Sequence, residues 1–211
     1  MKVPTWIGWS GATTVGFALG TTLSTFLVGA TARPLSPVLG GIIFVLLYGL
    51  VIGIVIGLAQ LPAIPRGGAS WRAWILATPL GAAAGFAVAS VVGEILGNTI
   101  DPSLNVVIAE GAIESTSGAI VGLGIGFAQW LVLRRLLPNG RWWIVTSVVG
   151  GALGYGAAAA VLEVLDVPLL KANLVPSFGG ILGLFVGVSQ SLVLWSSESR
   201  GAGTRGVRLT T

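Results

Sequence analysis

The stretch Gly118-Ala119-Ile120-Val121-Gly122-Leu123-Gly124-Ile125-Gly126-Phe127-Ala128-Gln129 decides the fold. Its frame, Gly-x3-Gly-x3-Gly-x2-Gln, occurs twice more, as Gly49/Gly53/Gly57/Gln60 and as Gly179/Gly183/Gly187/Gln190. The chain has three glutamines, and each closes one copy. An identical register in front of every glutamine marks an internal triplication.

A second phrase, Trp-x6-Gly-x3-Gly, appears as Trp9/Gly16/Gly20, Trp74/Gly81/Gly85 and Trp143/Gly150/Gly154. It alternates with the first, so the repeated unit is a pair of helices. Transmembrane spans are expected at 5–29, 38–61, 71–97, 107–136, 142–166 and 174–195. They group into repeats 5–61, 71–136 and 142–195 within one transmembrane domain, 1–195. The tail, 196–211, is polar, basic and glycine-rich, a composition that predicts cytoplasmic disorder. Two crossings per unit give all three units the same topology, related by rotation about the membrane normal. The predicted fold is therefore an all-α integral membrane bundle of six helices with pseudo-threefold symmetry.

Composition agrees with that class. Of 211 residues, 54% are hydrophobic and 9% charged, against about 25% charged in soluble domains. The formal charge of +4 would suggest nucleic acid in a soluble protein. Here the basic residues sit in short connections, where they set membrane orientation instead, and no nucleic-acid partner is expected. Cysteine and histidine are absent, which removes disulfides, thiolate metal sites and the commonest ligand of haem, zinc and chlorophyll. Met1-Lys2, an apolar run and Ala30-Thr31-Ala32 superficially resemble a cleaved signal. That run carries the Trp9 phrase shared with two later spans, so it counts as a genuine transmembrane helix.

Lys2, Arg66, Arg72, Arg134, Arg135, Arg141, Arg200, Arg205 and Arg208 cluster at one side, with only Arg33 and Lys171 opposite, which predicts both termini in the cytoplasm. Glu94, Asp101, Glu110, Glu114, Glu163 and Asp166 lie near the outer ends. All eight tryptophans fall near the cytoplasmic ends and predict an aromatic belt at the headgroups, with Trp9, Trp74 and Trp143 as interface anchors. Outer connections led by Pro34, Pro102 and Pro168 predict short interfacial helices. A helix from Pro102 to Leu136 would run about 50 Å, so it must project outward or break near Gly111.

On a helix the glycines and glutamine of each first phrase share one stripe. Lipid tails give no hydrophobic drive for helix association, so small-residue faces must supply it. The even helices are expected to pack along these faces around the axis, with the odd helices outside. The odd helices carry glycine stripes as well, which leaves the opposite arrangement open. With even helices inside, Gln60, Gln129 and Gln190 converge in an axial polar ring. Such a ring either holds the bundle in register or lines a permeation path. The Trp-x6-Gly-x3-Gly face is either an ordinary packing groove or a slot for a carotenoid, quinone or lipid tail. Glu94 and Glu163 read as solvated helix ends. Glu110 and Glu114, one turn apart and present in one repeat only, are the candidate ion or partner surface. No catalytic constellation emerges, so no enzyme is expected.

The run Gly126-Phe127-Ala128-Gln129-Trp130-Leu131-Val132-Leu133-Arg134-Arg135, then Trp142-Trp143 and Gly150/Gly154, resembles a pattern in multi-pass membrane proteins of cyanobacteria and Chloroflexi-type bacteria. The resemblance is strong in the middle repeat and degraded in the other two, and it implies membrane architecture alone. Three functions fit the residues: an accessory or scaffold subunit of a larger membrane complex, a small channel or transporter, or a binder of an apolar ligand. The host is expected to be a bacterial inner or photosynthetic membrane.

Overall fold

A computed structural model describes residues 5–32, 37–64, 70–100, 106–137, 140–164 and 175–206. The helices are α1 (Thr5–Ala32), α2 (Pro37–Gln60), α3 (Trp71–Thr99), α4 (Val106–Leu133), α5 (Arg141–Val164) and α6 (Val175–Gly206), with a 3-10 turn at Leu61–Ala63. Each of the six contributes an apolar segment of 21 to 29 residues, where about 20 suffice to cross a bilayer. The protein is thus an all-helical chain with six candidate membrane spans.

The helix ends agree with the sequence-derived spans to within three residues, α6 excepted. That helix runs on to Gly206, so residues 196–206 are helical where composition predicts a disordered tail. The stretch contains no proline, and the hydroxyls of Ser196 and Ser197 each donate back to the Val193 carbonyl at 2.9 Å. A second departure is α4, which passes Gly111 unbroken. Its 28 residues span about 42 Å, longer than the roughly 30 Å hydrocarbon core by about two turns. Glu110 lies in those first turns. The connections led by Pro34, Pro102 and Pro168 lie outside the described residues.

The six helices form a closed ring. Extensive contacts join each helix to its neighbours in chain order, and α1 closes on α6. This corrects the expectation of an inner set of even helices, and the physical cause is legible at the glycines. Each even-helix stripe packs on the following odd helix. A Cβ at Gly49 would lie 2.7 Å from Ala83 Cα, one at Gly53 would strike Pro79, and Gly57 faces Thr78. Gly118, Gly122 and Gly126 meet Gly151, Ser147 and Ile144 in the same way, and Gly179, Gly183 and Gly187 meet Phe17, Thr14 and Ser10. The odd-helix glycines face the other neighbour. Gly16 and Gly20 lie against Ile56 and Ile52, Gly81 and Gly85 against Gly124 and Val121, and Gly150 and Gly154 against Val186 and Leu182. A helix with two close-packing faces needs two partners, and six such helices satisfy one another by closing a ring.

All six helices therefore line the centre. Ile52, Ile56, Val121, Ile125, Leu182 and Val186, which stand eight and four residues before each glutamine, are buried there. Phe17, Ala82 and Tyr155 from the odd helices complete the same apolar core. A void lined by Phe17, Val121, Ile125, Leu182 and Val186 measures about 10 Å3, about the minimum for one water molecule, in a lining that offers water few partners. Leu19, Leu46, Ile54, Leu76, Leu131 and Leu153 face outward and are exposed, as an apolar solvent requires.

Candidate functional site

The three glutamines meet at one end of the ring, and with them the three repeat tryptophans. Gln60, Gln129 and Gln190 are essentially inaccessible. Each sits at the end of an even-helix stripe, one turn beyond the last glycine, with its side chain buried in the bundle.

Two sets of bonds hold this layer. Each glutamine donates to a hydroxyl four residues beyond the tryptophan of its own helix pair: Gln60 Nε2 to Thr13 Oγ1 at 2.9 Å, Gln129 Nε2 to Thr78 Oγ1 at 3.4 Å, and Gln190 Nε2 to Ser147 Oγ at 2.8 Å. The amides also link to one another. Gln190 Nε2 donates to Gln129 Oε1 at 3.3 Å, and Gln129 Nε2 to Gln60 Oε1 at 3.0 Å. Indole N–H groups supply the remaining donors, from Trp9 to Gln190 Oε1 at 2.9 Å and from Trp143 to Gln129 Oε1 at 3.2 Å. Gln129 is the hub, donating twice and accepting twice.

Trp74 breaks the pattern. Its Nε1 is buried with no hydrogen-bond partner among the described residues. The ring itself packs edge-on against Trp9, with centroids 5.6 Å apart, and Trp9 packs edge-on against Trp143 at 5.1 Å. Both geometries suit the aromatic quadrupole.

These positions correct the role expected of Trp9, Trp74 and Trp143. They are 1%, 0% and 0% exposed, so they are core residues and not headgroup anchors. The indoles fill the centre beyond the last glycines, where amide oxygens take the N–H of Trp9 and Trp143. The outward-facing indoles are instead those of Trp71, Trp142 and Trp195, all more than half exposed.

Thr13, Thr78 and Ser147 were not among the residues read as functional from sequence. Their signal was present, because every repeat tryptophan is followed four residues later by a hydroxyl. Glu110 is exposed and Glu114 half-buried at the opposite end of the bundle, far along α4 from Gln129. Glu94 is exposed at the end of α3, and the Glu163 side chain lies outside the described residues. Among the described residues no three histidine, cysteine, aspartate or glutamate side chains gather.

Among the described residues, two grooves open outward at the tryptophan end. One, of about 670 Å3, separates α1 from α6 between Trp6 and Trp195, over Val15, Leu184 and Leu192. The other, of about 640 Å3, separates α3 from α4. No family model matches this chain, and neither a curated protein nor a solved structure matches it.

Proposed function

We propose that this protein is a non-catalytic integral membrane subunit, a tight six-helix scaffold that packs against other membrane-protein subunits and the lipid around them. The filled centre of the ring carries this reading. The amides of Gln60, Gln129 and Gln190 are engaged in internal bonds, and the void beside Phe17, Val121 and Leu182 in the adjoining apolar layer holds about 10 Å3. Surfaces available to other molecules therefore face outward. The proposal places the three helix pairs about a pseudo-threefold axis along the membrane normal, supported by the glutamine–hydroxyl pairing that recurs in all three. It sets both termini in the cytoplasm of a bacterial inner or photosynthetic membrane, supported by the arginines at the tryptophan end.

Mild-detergent extraction of the endogenous protein followed by native mass spectrometry tests the function. The expected product is a stoichiometric assembly heavier than the 21.4 kDa chain. Recovery of the chain alone, together with ion flux in liposomes, would overturn the proposal in favour of a channel. The absence of cysteine makes the topology directly testable. A single cysteine at Ser197 is expected to resist impermeant maleimide in intact cells and to react in inverted vesicles.

The groove between α1 and α6 favours a second reading, an apolar ligand such as a quinone, carotenoid or lipid tail held between Trp6 and Trp195. Its volume of about 670 Å3 falls within the roughly 300–1,000 Å3 of ligand sites. A stoichiometric apolar compound in the extract would establish it, and its absence by mass spectrometry and absorbance would remove it.

A further inference from the structure

The groove between α3 and α4 ends in cations, Arg134 and Arg135. Its deep end is closed where the two backbones touch, because a Cβ at Gly81 would lie 2.5 Å from the Gly124 carbonyl oxygen and 2.6 Å from Ala128 Cβ. From there the groove runs toward the tryptophan end. Leu76, Leu80 and Leu131 line the walls, and Ser70, Arg134 and Arg135 line the mouth. Both arginines are exposed. Arg134 lies over the Trp130 ring, its guanidinium carbon 5.9 Å from the centroid. The Ser70 hydroxyl caps α3 by accepting from the Ala73 N–H at 3.3 Å, which leaves its own proton to donate. The first turn of α3 adds the positive end of a helix dipole to the same mouth.

The dimensions select the ligand. Ten residues of α3 separate Ser70 from Leu80, a depth of about 15 Å, which is half of a hydrocarbon core roughly 30 Å thick. A cationic, donor-rich mouth at the headgroup level thus opens onto an apolar trough one leaflet deep. The three glutamine phrases differ here as well. Five and six residues beyond the glutamine stand Pro65-Arg66, Arg134-Arg135 and Trp195-Ser196, so the paired guanidinium groups belong to the middle copy alone. The acids described near the membrane ends, Glu94, Glu110 and Glu114, lie at the far end of the bundle.

We infer that this groove is a binding site for an anionic phospholipid, with one acyl chain along Leu76, Leu80 and Leu131 and its phosphate held by Arg134, Arg135 and the Ser70 hydroxyl. Planar guanidinium groups suit a phosphate diester, which accepts two parallel hydrogen bonds from each. The site rests on the six helices spanning a bilayer, and it stands whether or not the protein proves to be a subunit of a larger complex.

The test uses the full chain, delipidated and titrated with phosphatidylglycerol or phosphatidylcholine in detergent, with bound lipid counted by native mass spectrometry. The expected result is one tightly retained phosphatidylglycerol and weaker phosphatidylcholine. Arg134→Gln and Arg135→Gln are each expected to weaken phosphatidylglycerol roughly fivefold, and the double variant roughly 30-fold. Ala77→Trp fills the trough while leaving the charges, and is expected to reduce retention as well. Arg141→Gln removes an exposed charge from the same end without touching the groove, and is expected to change nothing. Equal losses from Arg141→Gln and the groove variants would reduce the effect to surface charge and overturn the site. So would retention unchanged by Ala77→Trp, or inorganic phosphate competing as well as the lipid. Far-UV circular dichroism and the elution profile in detergent report whether each variant is folded, and one that fails is replaced by Arg134→Lys or Ala77→Leu, read by the same criteria.

Discussion

Replacing the central glutamines one at a time with leucine ought to rank them, because the three amides are not equally engaged. Gln129 takes part in four hydrogen bonds, Gln190 in three and Gln60 in two. Side-chain hydrogen bonds between membrane helices are worth about 0.6 kcal/mol on average, so the losses come to about 2.4, 1.8 and 1.2 kcal/mol. Those correspond to changes of roughly 60-fold, 20-fold and eightfold in the folded-to-unfolded ratio. The Gln129 variant carries a further penalty, since it strips Trp143 Nε1 of the acceptor found for it and Gln60 Oε1 of its donor. Leucine keeps the approximate bulk, so a cavity contributes little to the comparison. Reversible unfolding in mixed micelles, driven by increasing SDS and followed by indole emission, supplies the assay. The buried indoles make the signal report on the layer under test. Three equal losses, or Gln60→Leu as the costliest, would refute the hydrogen-bond hub and leave only packing to explain the burial.

The indoles provide an independent check. Trp9→Phe and Trp143→Phe each abandon a hydrogen bond, whereas Trp74→Phe abandons none among the described residues and removes a buried orphan donor. Trp74→Phe is expected to be milder by about 1 kcal/mol in the same SDS titration, and parity would show that Nε1 is satisfied in solution. Neighbouring glycines on α6 are expected to respond in opposite directions. A Cβ at Gly179 would lie 2.6 Å from the Phe17 carbonyl oxygen, while one at Gly180 meets nothing within 4 Å. Gly179→Ala is expected to destabilise by about 1–3 kcal/mol, and Gly180→Ala to stabilise by about 0.5–1 kcal/mol through helix propensity. Equal responses would place α6 in a different rotation. Gly53→Ala, directed at the Pro79 backbone, is expected to be as damaging as Gly179→Ala, and a neutral result would separate α2 from α3.

Much of this architecture was legible in the residues. Spacing of glycines and tryptophans located six helices, because a stripe every four residues has meaning only on a helix. What spacing could not say was which helix each stripe touches. Gly49/Gly53/Gly57 and Gly81/Gly85 both announce close approach, but a periodicity carries no address for its partner. The informative signal was that odd and even helices alike own small residues. α3 presents Thr78, Pro79 and Ala83 to α2 and Gly81 and Gly85 to α4, and a helix with two such faces sits between two neighbours. Tryptophan misled for a different reason. Its habit of lying at the headgroups is a statement about exposed indoles, and it lapses where an amide oxygen inside the bundle takes the N–H, as Gln190 does for Trp9 and Gln129 for Trp143. The cationic groove was hidden because Ser70 and Arg134 are far apart in sequence and meet only through the antiparallel run of α3 against α4.

The seam between α1 and α6 is built like the seams between helices that follow one another. Gly179, Gly183 and Gly187 press on Phe17, Thr14 and Ser10, and Ser10 Oγ donates to the Gly187 carbonyl at 3.2 Å. The start of α1 and the later turns of α6 belong to the same end of the bundle, since Trp9 bonds Gln190. The polypeptide is thus a linear text wound on a circular object, and the α1–α6 seam reads like any other. A circularly permuted gene that joins the old ends and opens the chain between α2 and α3 is expected to produce the same ring. What chain order does settle is chronology, with α1 reaching the bilayer before α6 during synthesis.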